Sequence, residues 1–428
     1  MAPPVIRLVR SAPDPLGLFL RVGRAGQKDL QTFIAAGDAS FSGVVLEAKR
    51  ADKQKELLSL VLEHRIDAVL DPQTQAMGTT GGYTKSMDVL PWSAKRAHTL
   101  DDFSTELARR KIADDIAQFA IKYGFTQILA PTHLISGPND PWLEIDIATT
   151  NALISALQRR NASSIQVNYS LAISYEAFRT ASKRSAILER LRNLSIDSLW
   201  LHVDGCGSDS SPAAVSRYGD AAADFHTLRI PIIADHMGGL VGLSLLAFGV
   251  VGGISHGITL GERFHCGHWK KVATGKPFAP GLRVYLPILD LLLPRVDAEK
   301  LFETGAKAKA AFGCRNTACC GRGIPDMLQA PARHFLYQRT REVAGLSQIP
   351  ESLRPMQFLE EHLRPASDRA LLAVGLTLPD ALQKKMASQS KRLNDLRIAL
   401  GSYAQKRRDD VTFARHPKTR AAREARRS

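Results

Sequence analysis

Polar side chains close a series of short apolar runs in this sequence, and their types suit proton transfer, carboxylate chemistry and metal binding. Glu47 ends one run, Asp71 another within Val69-Leu-Asp-Pro-Gln-Thr-Gln75, and Thr132-His133 a third. Asn168 and Tyr169, His202 and Asp204, Asp235 and His236, and Ser255 and His256 close later runs in the same way. A single polar residue in such a place is usually a cap or a turn-former. A set of them that converges on one opening reads as an active site, with carboxylates and imidazoles as its acids and bases.

Two glycine clusters lie beside these residues, Asp235-His-Met-Gly-Gly239 and Gly252-Gly-Ile-Ser-His-Gly257. Paired glycines let backbone approach a ligand closely, so Gly252 and Gly253 are expected at a substrate phosphate; the other reading is tight strand-to-helix turns. A long segment after Asp71, running through Gly78-Thr-Thr-Gly-Gly-Tyr83 to Trp92, precedes the next helical pattern. Segments of that length inside a domain are usually functional or disordered. The expectation is a mobile lid whose Tyr83 and Trp92 stack on bases while Lys85, Lys95 and Arg96 contact phosphates.

Cys314, Cys319, Cys320 and His334 form a third constellation. Three thiolates and an imidazole complete a closed, tetrahedral structural Zn2+ site. Buried thiols or a redox pair are the competing readings, since adjacent cysteines point apart in extended backbone. His362 is a reserve ligand, and Cys206 and Cys266 read as solitary.

Something must hold these residues in place. From about residue 16 to 260, roughly eight short apolar runs, 16–22, 44–47, 68–71, 127–132, 165–169, 199–204, 232–235 and 252–255, alternate with helical patterns. Strict alternation with nearly continuous apolar strands argues for a parallel sheet, and eight units argue for closure into a (β/α)8 TIM-like barrel, with an open sheet as the alternative. No G-x-G-x-x-G follows the first run, which weighs against dinucleotide binding. In a barrel the polar run ends gather at the carboxyl mouth.

The chain has 428 residues and a formal charge of +15. Residues 406–428 carry nine Lys/Arg against three acids, the composition of a flexible tail drawn to a polyanion such as DNA or tRNA. Before it, Leu382, Met386, Gln389, Leu393, Leu396, Leu400 and Tyr403 form an apolar helical seam, either docked on its own domain or pairing chains as a homodimer or within a larger complex. The implied organisation is a barrel over 1–300, a Cys/His helical module over 301–370, an amphipathic helix over 371–405 and the basic tail over 406–428. No apolar run reaches the ~20 residues of a membrane span and no secretory leader is visible, so the expected location is cytoplasmic.

The order of these features resembles the tRNA-guanine transglycosylase superfamily, including the branch that inserts 7-deazaguanines into DNA. Asp71 with Gln75, the glycine-rich stretch ending Gly257-Ile-Thr-Leu-Gly261-Glu262, and Cys314/Cys319/Cys320/His334 carry the resemblance. It implies a barrel with a structural zinc module, one aspartate as nucleophile and a second handling protons. Base exchange passes through an oxocarbenium-like state that a carboxylate can trap, while another moves a proton to the departing base. Asp235 is the expected nucleophile, Asp71 the general acid/base, and Asp204, Asn168 and Gln75 the base-edge readers. A barrel enzyme on a small phosphorylated or carboxylated metabolite, using His133, His202 and His236, is the alternative. A non-catalytic nucleic-acid-binding subunit is the third reading.

Overall fold

The computed structural model describes residues 15–23, 26–37, 39–271, 281–407 and 412–425. Nine strands form its main sheet: β1 (Gly17–Val22), β2 (Gly43–Glu47), β3 (Asp67–Asp71), β4 (Gln127–Leu129), β5 (Leu134–Ile135), β6 (Gln166–Ile173), β7 (Ser198–Val203), β8 (Ile232–Asp235) and β9 (Gly253–Gly257). All strand pairs in it are parallel. β4 pairs with β6, β9 returns to β1, and the eight strands other than β5 close a (β/α)8 barrel. The short β5 adds to the end of β6 at Ala172 and Ile173.

Strand periodicity explains what the barrel encloses. Phe19, Val45, Val69, Leu129, Trp200 and Ile233 point inward and form a separate buried cluster at one level of the interior. Two residues further along their strands, on the same face, come Arg21, Glu47, Asp71, His202 and Asp235. The layer above the apolar plug is therefore polar, and it lies at the carboxyl end.

A hairpin of β10 (Arg283–Leu286) and β11 (Leu291–Pro294) follows the barrel. The helix Pro331–Ser347 packs on β10 and on the helix Gln27–Ala35, so the post-barrel module is held against the barrel wall. Between them the helix Gly239–Ala247 is buried over its whole length, which its uniformly apolar sequence permits. Among the described residues no helix is long and apolar enough to cross a membrane.

The seam from Leu382 to Tyr403 lies on the helix Asp380–Lys406 and all seven of its residues are buried. It docks on the chain's own helices Arg364–Val374 and Pro212–Ala223. Its polar member, Gln389, donates to the turn carbonyls of Leu289 at 2.7 Å and Asp290 at 3.1 Å. A seam occupied in this way is not available as a coiled-coil dimer face.

The basic tail differs from the expected free arm. Its described residues 412–425 lie across the amino-terminal end of the barrel. Ala414 is buried and its N–H donates to Gly249 O at 2.8 Å, Arg415 bridges to Pro231 ahead of β8, and Arg423 forms an ion pair with the buried Asp67. Composition suggested a free polyanion-seeking arm. Instead, the buried Asp67 and open backbone carbonyls at the barrel bottom give Arg423, Arg420 and the Ala414 N–H partners.

Candidate active site at the carboxyl end of the barrel

Arg21 organises the mouth. Its Nε and Nη2 donate to Asp235 Oδ1 at 2.8 Å and Oδ2 at 2.5 Å, while Nη1 donates to Asp71 Oδ2 at 2.7 Å. The two aspartates on β8 and β3 are thus brought to one guanidinium. Each also accepts a local backbone N–H, Asp71 from Gln73 at 2.8 Å and Asp235 from His236 at 2.9 Å. Gln73 and His236 both adopt positive φ, 64° and 56°. Left-handed backbone in non-glycine residues is uncommon and concentrates where the surrounding structure fixes a functional geometry.

Burial, the largest single influence, would raise the Asp235 pKa, but the Arg21 charge, His236 and the Arg21 hydrogen bonds together outweigh it, so the carboxyl stays well below the usual range. Burial likewise opposes the charge on Arg21, yet Asp235 and Asp71 keep its pKa raised. Asp235 has no exposed side-chain surface, whereas Asp71 is 21% exposed. One carboxylate is a fixed buried anion and the other faces solvent.

Two histidines complete the wall. His202 Nδ1 lies 2.9 Å from Gln75 Oε1. The Gln75 amide donates to Thr132 Oγ1 at 3.0 Å and Ser170 Oγ at 2.7 Å, so Oε1 is an acceptor and His202 carries its proton on Nδ1. His202 Nε2 is then a buried lone pair with no hydrogen-bond partner among the described residues. His236 Nδ1 faces Gly261 O at 3.2 Å, which fixes the same tautomer. Burial holds both imidazoles below their ordinary pKa, and both rings are neutral at pH 7. They stack with centroids 4.7 Å apart, with Phe264 at 3.6 Å from His202 and Trp269 behind it. One donor atom from each of His202, Asp235 and His236 lies within 4.8 Å of the others, a set that could hold a metal ion.

Two loops meet over this layer, since Gly81 N–H donates to Trp269 O at 2.8 Å. A β-carbon at Gly81 would collide with the backbone of Lys271, so glycine is required for the loops to approach.

The structure brings together Asp71, Asp235, Gln75, His202 and His236, and it places other expected site residues elsewhere. Asn168 sits near the start of β6, because that strand runs on to Ile173. Its amide donates to Gln127 at 2.8 Å and accepts from Ser198 at 2.7 Å, inside the amino end of the barrel. Gly252 and Gly253 precede or open β9 at that same end. A β-carbon on Gly252 would strike Arg415 O and His416, and one on Gly253 would crowd Ile233, so these glycines admit the tail and the packed interior, not a substrate. Asp204 accepts from Cys266 N at 2.7 Å and Cys266 Sγ at 2.9 Å, which makes it an anchor for the loop after β9. Gly238 and Gly239 face the carboxylates of Glu262 and Asp290, and Asp290 already accepts from Leu240 N at 2.9 Å, so the expected phosphate turn is capped by protein.

The expected lid is packed. Trp92 is buried, donates from Nε1 to Pro72 O at 3.0 Å and sits edge-on to Phe119. Arg96 pairs with Asp102 at 2.7 Å, while Lys85 and Lys95 are exposed. His133 is buried, hydrogen-bonded to Asp146 at 2.7 Å and stacked on Trp142, which makes it part of the scaffold. Glu47 turns toward Arg50 at 2.9 Å.

Away from the mouth, donor atoms of Cys314, Cys319, Cys320 and His334 lie within 4.8 Å of one another, a group that could bind a metal ion. A tight turn brings the adjacent cysteines to one side. Cys319 N and Cys320 N both donate to Asn316 O, at 3.2 and 2.8 Å. His334 Nε2 faces Tyr285 O at 3.0 Å, which leaves Nδ1 toward the thiols.

Arg21, Phe264 and Trp269 were not anticipated from sequence. Arg21 carried a signal, since it is the lone cation within the first apolar run, two residues beyond Phe19. The aromatic pair carried none, because its loop leaves the strand pattern.

No protein-family model matches the sequence, and no curated protein matches it. Among solved structures the chain is similar to a putative phosphonomutase from Burkholderia cenocepacia, at 16% identity and a TM-score of 0.34, over 57% of this chain and 89% of that one. It is also similar to deoxyribose phosphate aldolase from Aeropyrum pernix, at 14% and 0.31, over 56% of this chain and 83% of that one. A GH26 beta-mannanase from Bacteroides ovatus matches at 10% and 0.36, over 61% of this chain and 85% of that one. Similarity at this level carries no argument about function.

Proposed function

We propose that this chain is a barrel enzyme exchanging a base at a glycosidic carbon, with Asp235 as the anionic nucleophile and Asp71 as the proton carrier. The observation that carries the reading is the convergence of the two carboxylates on Arg21. Arg21 keeps Asp235 ionised. Of the Asp235 oxygens, Oδ1 accepts two hydrogen bonds and Oδ2 accepts one, so Oδ2 retains a lone pair for attack. Attack by Oδ2 would form a bond to the sugar carbon as the carbon–nitrogen bond to the base breaks, and the departing base would take a proton drawn from water through the solvent-facing Asp71. The incoming base would return that proton to Asp71 and release Asp235. His202, His236, Phe264 and Trp269 provide an aromatic wall for such a base, with the Phe264 ring tilted against His202 and Trp269. The family resemblance supplies the finer assignment, guanine replaced by a deazaguanine-type base in DNA or tRNA.

The cysteine cluster fits zinc. With Zn–S ~2.3 Å and Zn–N ~2.0 Å, tetrahedral geometry puts two thiolates about 3.8 Å apart and a thiolate about 3.5 Å from the imidazole nitrogen. The Cys319–Cys320 separation is 3.7 Å, and His334 Nδ1 lies 3.3 and 3.4 Å from the two sulfurs. The orientation of His334 by Tyr285 O is the outer-shell contact such a ligand needs. Four protein ligands leave no open position, so the metal would be structural.

The second reading, a barrel enzyme on a small phosphorylated or carboxylated metabolite, is favoured by the His202/Asp235/His236 donor set. The experiment is incorporation of labelled base into duplex DNA or tRNA. Asp235→Asn is expected to abolish it and Asp71→Asn to slow it by roughly a hundredfold or more, the contribution of a positioned proton carrier. Full activity in Asp235→Asn rejects the nucleophile, and no incorporation by the wild type rejects the reaction in favour of the metabolite enzyme.

A further inference from the structure

A cleft of about 620 Å³ opens between the loop after β9, the hairpin β10–β11 and the helix Asp380–Lys406. Three carboxylates on its wall are already matched by arginines. Asp209 pairs with Arg263 at 2.7 Å, Asp290 with Arg392 at 2.8 Å and Glu262 with Arg339 at 3.0 Å. Lys385 and Arg283, which also line the cleft, have no ion-pair partner among the described residues. Burial holds the half-buried Lys385 ammonium below its ordinary pKa, against the attraction of Asp297 and with the Arg283 charge pushing the same way. Two cations kept together in a cleft with no acid in contact form a site that a bound anion would stabilise.

A neutral donor lies in the same wall. Thr259 is fully buried, its Oγ1 has no partner among the described residues, and its φ of 58° is a genuine outlier for a β-branched residue. The cleft also borders the mouth, because Gly261 lines it and its carbonyl accepts from His236 Nδ1.

We propose that this cleft is the subsite for a phosphate group of the substrate, with Lys385 and Arg283 supplying charge and the Thr259 hydroxyl a neutral hydrogen bond. It replaces the glycine-turn phosphate site that Glu262 and Asp290 fill. The proposal rests on the barrel mouth being the reaction site, and it applies to either source of phosphate, a phosphorylated small molecule or a phosphodiester backbone.

The test is calorimetric binding of inorganic phosphate, ribose 5-phosphate and a single-stranded oligonucleotide to the full chain at graded salt. Wild type, Lys385→Gln and Arg283→Gln are compared, with the neighbouring exposed Lys384→Gln as control and circular dichroism verifying each fold. At least one probe is expected to bind, and either cleft variant to weaken it about tenfold or more, the loss of one charge-assisted hydrogen bond. Lys384→Gln should leave affinity unchanged. Preference for the sugar phosphate identifies a small-molecule source; oligonucleotide binding whose salt slope falls by about 0.7 per cation removed identifies a phosphodiester. Affinity for every probe unaltered in both cleft variants, or no binding at all, overturns the proposal. Lys385-dependent binding without base exchange counts instead against the proposed reaction, and the two failures are therefore distinguishable.

Discussion

Replacing Arg21 by methionine would separate the charge role of the guanidinium from its packing. Arg21 makes two hydrogen bonds to Asp235 and one to Asp71. Asp71 is 21% exposed and regains water when its partner leaves, so its share of the loss is small. Asp235 has no exposed side-chain surface and would remain buried with only the His236 N–H. Removing one partner of a buried ion pair costs about 3–5 kcal/mol, and the surviving hydrogen bond argues for the lower half of that range.

The pH dependence has a defined sign. In the wild type Asp235 has a depressed pKa, so its contribution to stability is present above the unfolded carboxyl value of ~3.9 and is lost as pH falls through the folded value. Without Arg21, burial dominates and raises the Asp235 pKa, and the variant then loses stability as pH rises through the unfolded value toward the raised one. The difference between wild type and variant should grow from about pH 4 toward neutrality. Urea unfolding followed by near-ultraviolet circular dichroism at several pH values measures it. Arg21→Met with Asp235→Asn should recover much of the loss, because the buried charge is gone. A pH-independent difference below about 1 kcal/mol, or a double variant showing the plain sum of both losses, would refute the reasoning.

Elemental analysis is expected to find about one zinc per chain, and Cys319→Ser or a strong chelator should remove it and lower the melting temperature; a metal-free protein of undiminished stability rejects the site. Truncation before Thr412 is expected to destabilise the barrel, since it uncovers Gly249, Gly252 and the buried Asp67. Arg423→Ala alone should cost about 3 kcal/mol at pH 7 by leaving Asp67 unpaired, and urea midpoints unchanged in both would show that the tail contributes nothing to the fold.

The sequence by itself determined the barrel and the level at which its polar layer lies. Alternating apolar runs and helical patterns dictate parallel strands, and a side-chain period of two puts Asp71, His202 and Asp235 directly beyond inward-facing Val69, Trp200 and Ile233. The Cys/His group that could bind a metal ion was legible because thiols and an imidazole in one neighbourhood have few alternative uses. Strand ends were less legible: β6 runs four residues past its expected end at Tyr169, to Ile173, and that margin moved Asn168 from the mouth to the bottom.

What only the tertiary structure decided is which polar groups are already paired. Arg21 reaches across the barrel from β1 to β3 and β8, and no local pattern records a contact spanning 214 positions. The basic tail, Trp92 and Asp204 each looked available in sequence, and the seam helix left docking and chain pairing both open, because composition names only what a segment can bind. Whether they are open depends on what packs against them: Leu289 and Asp290 carbonyls for the seam, Asp67 for Arg423, Pro72 for Trp92 and Cys266 for Asp204. Burial and pairing are properties of the folded chain, since a charge or an indole is satisfied equally well by a ligand or by a residue far away in sequence.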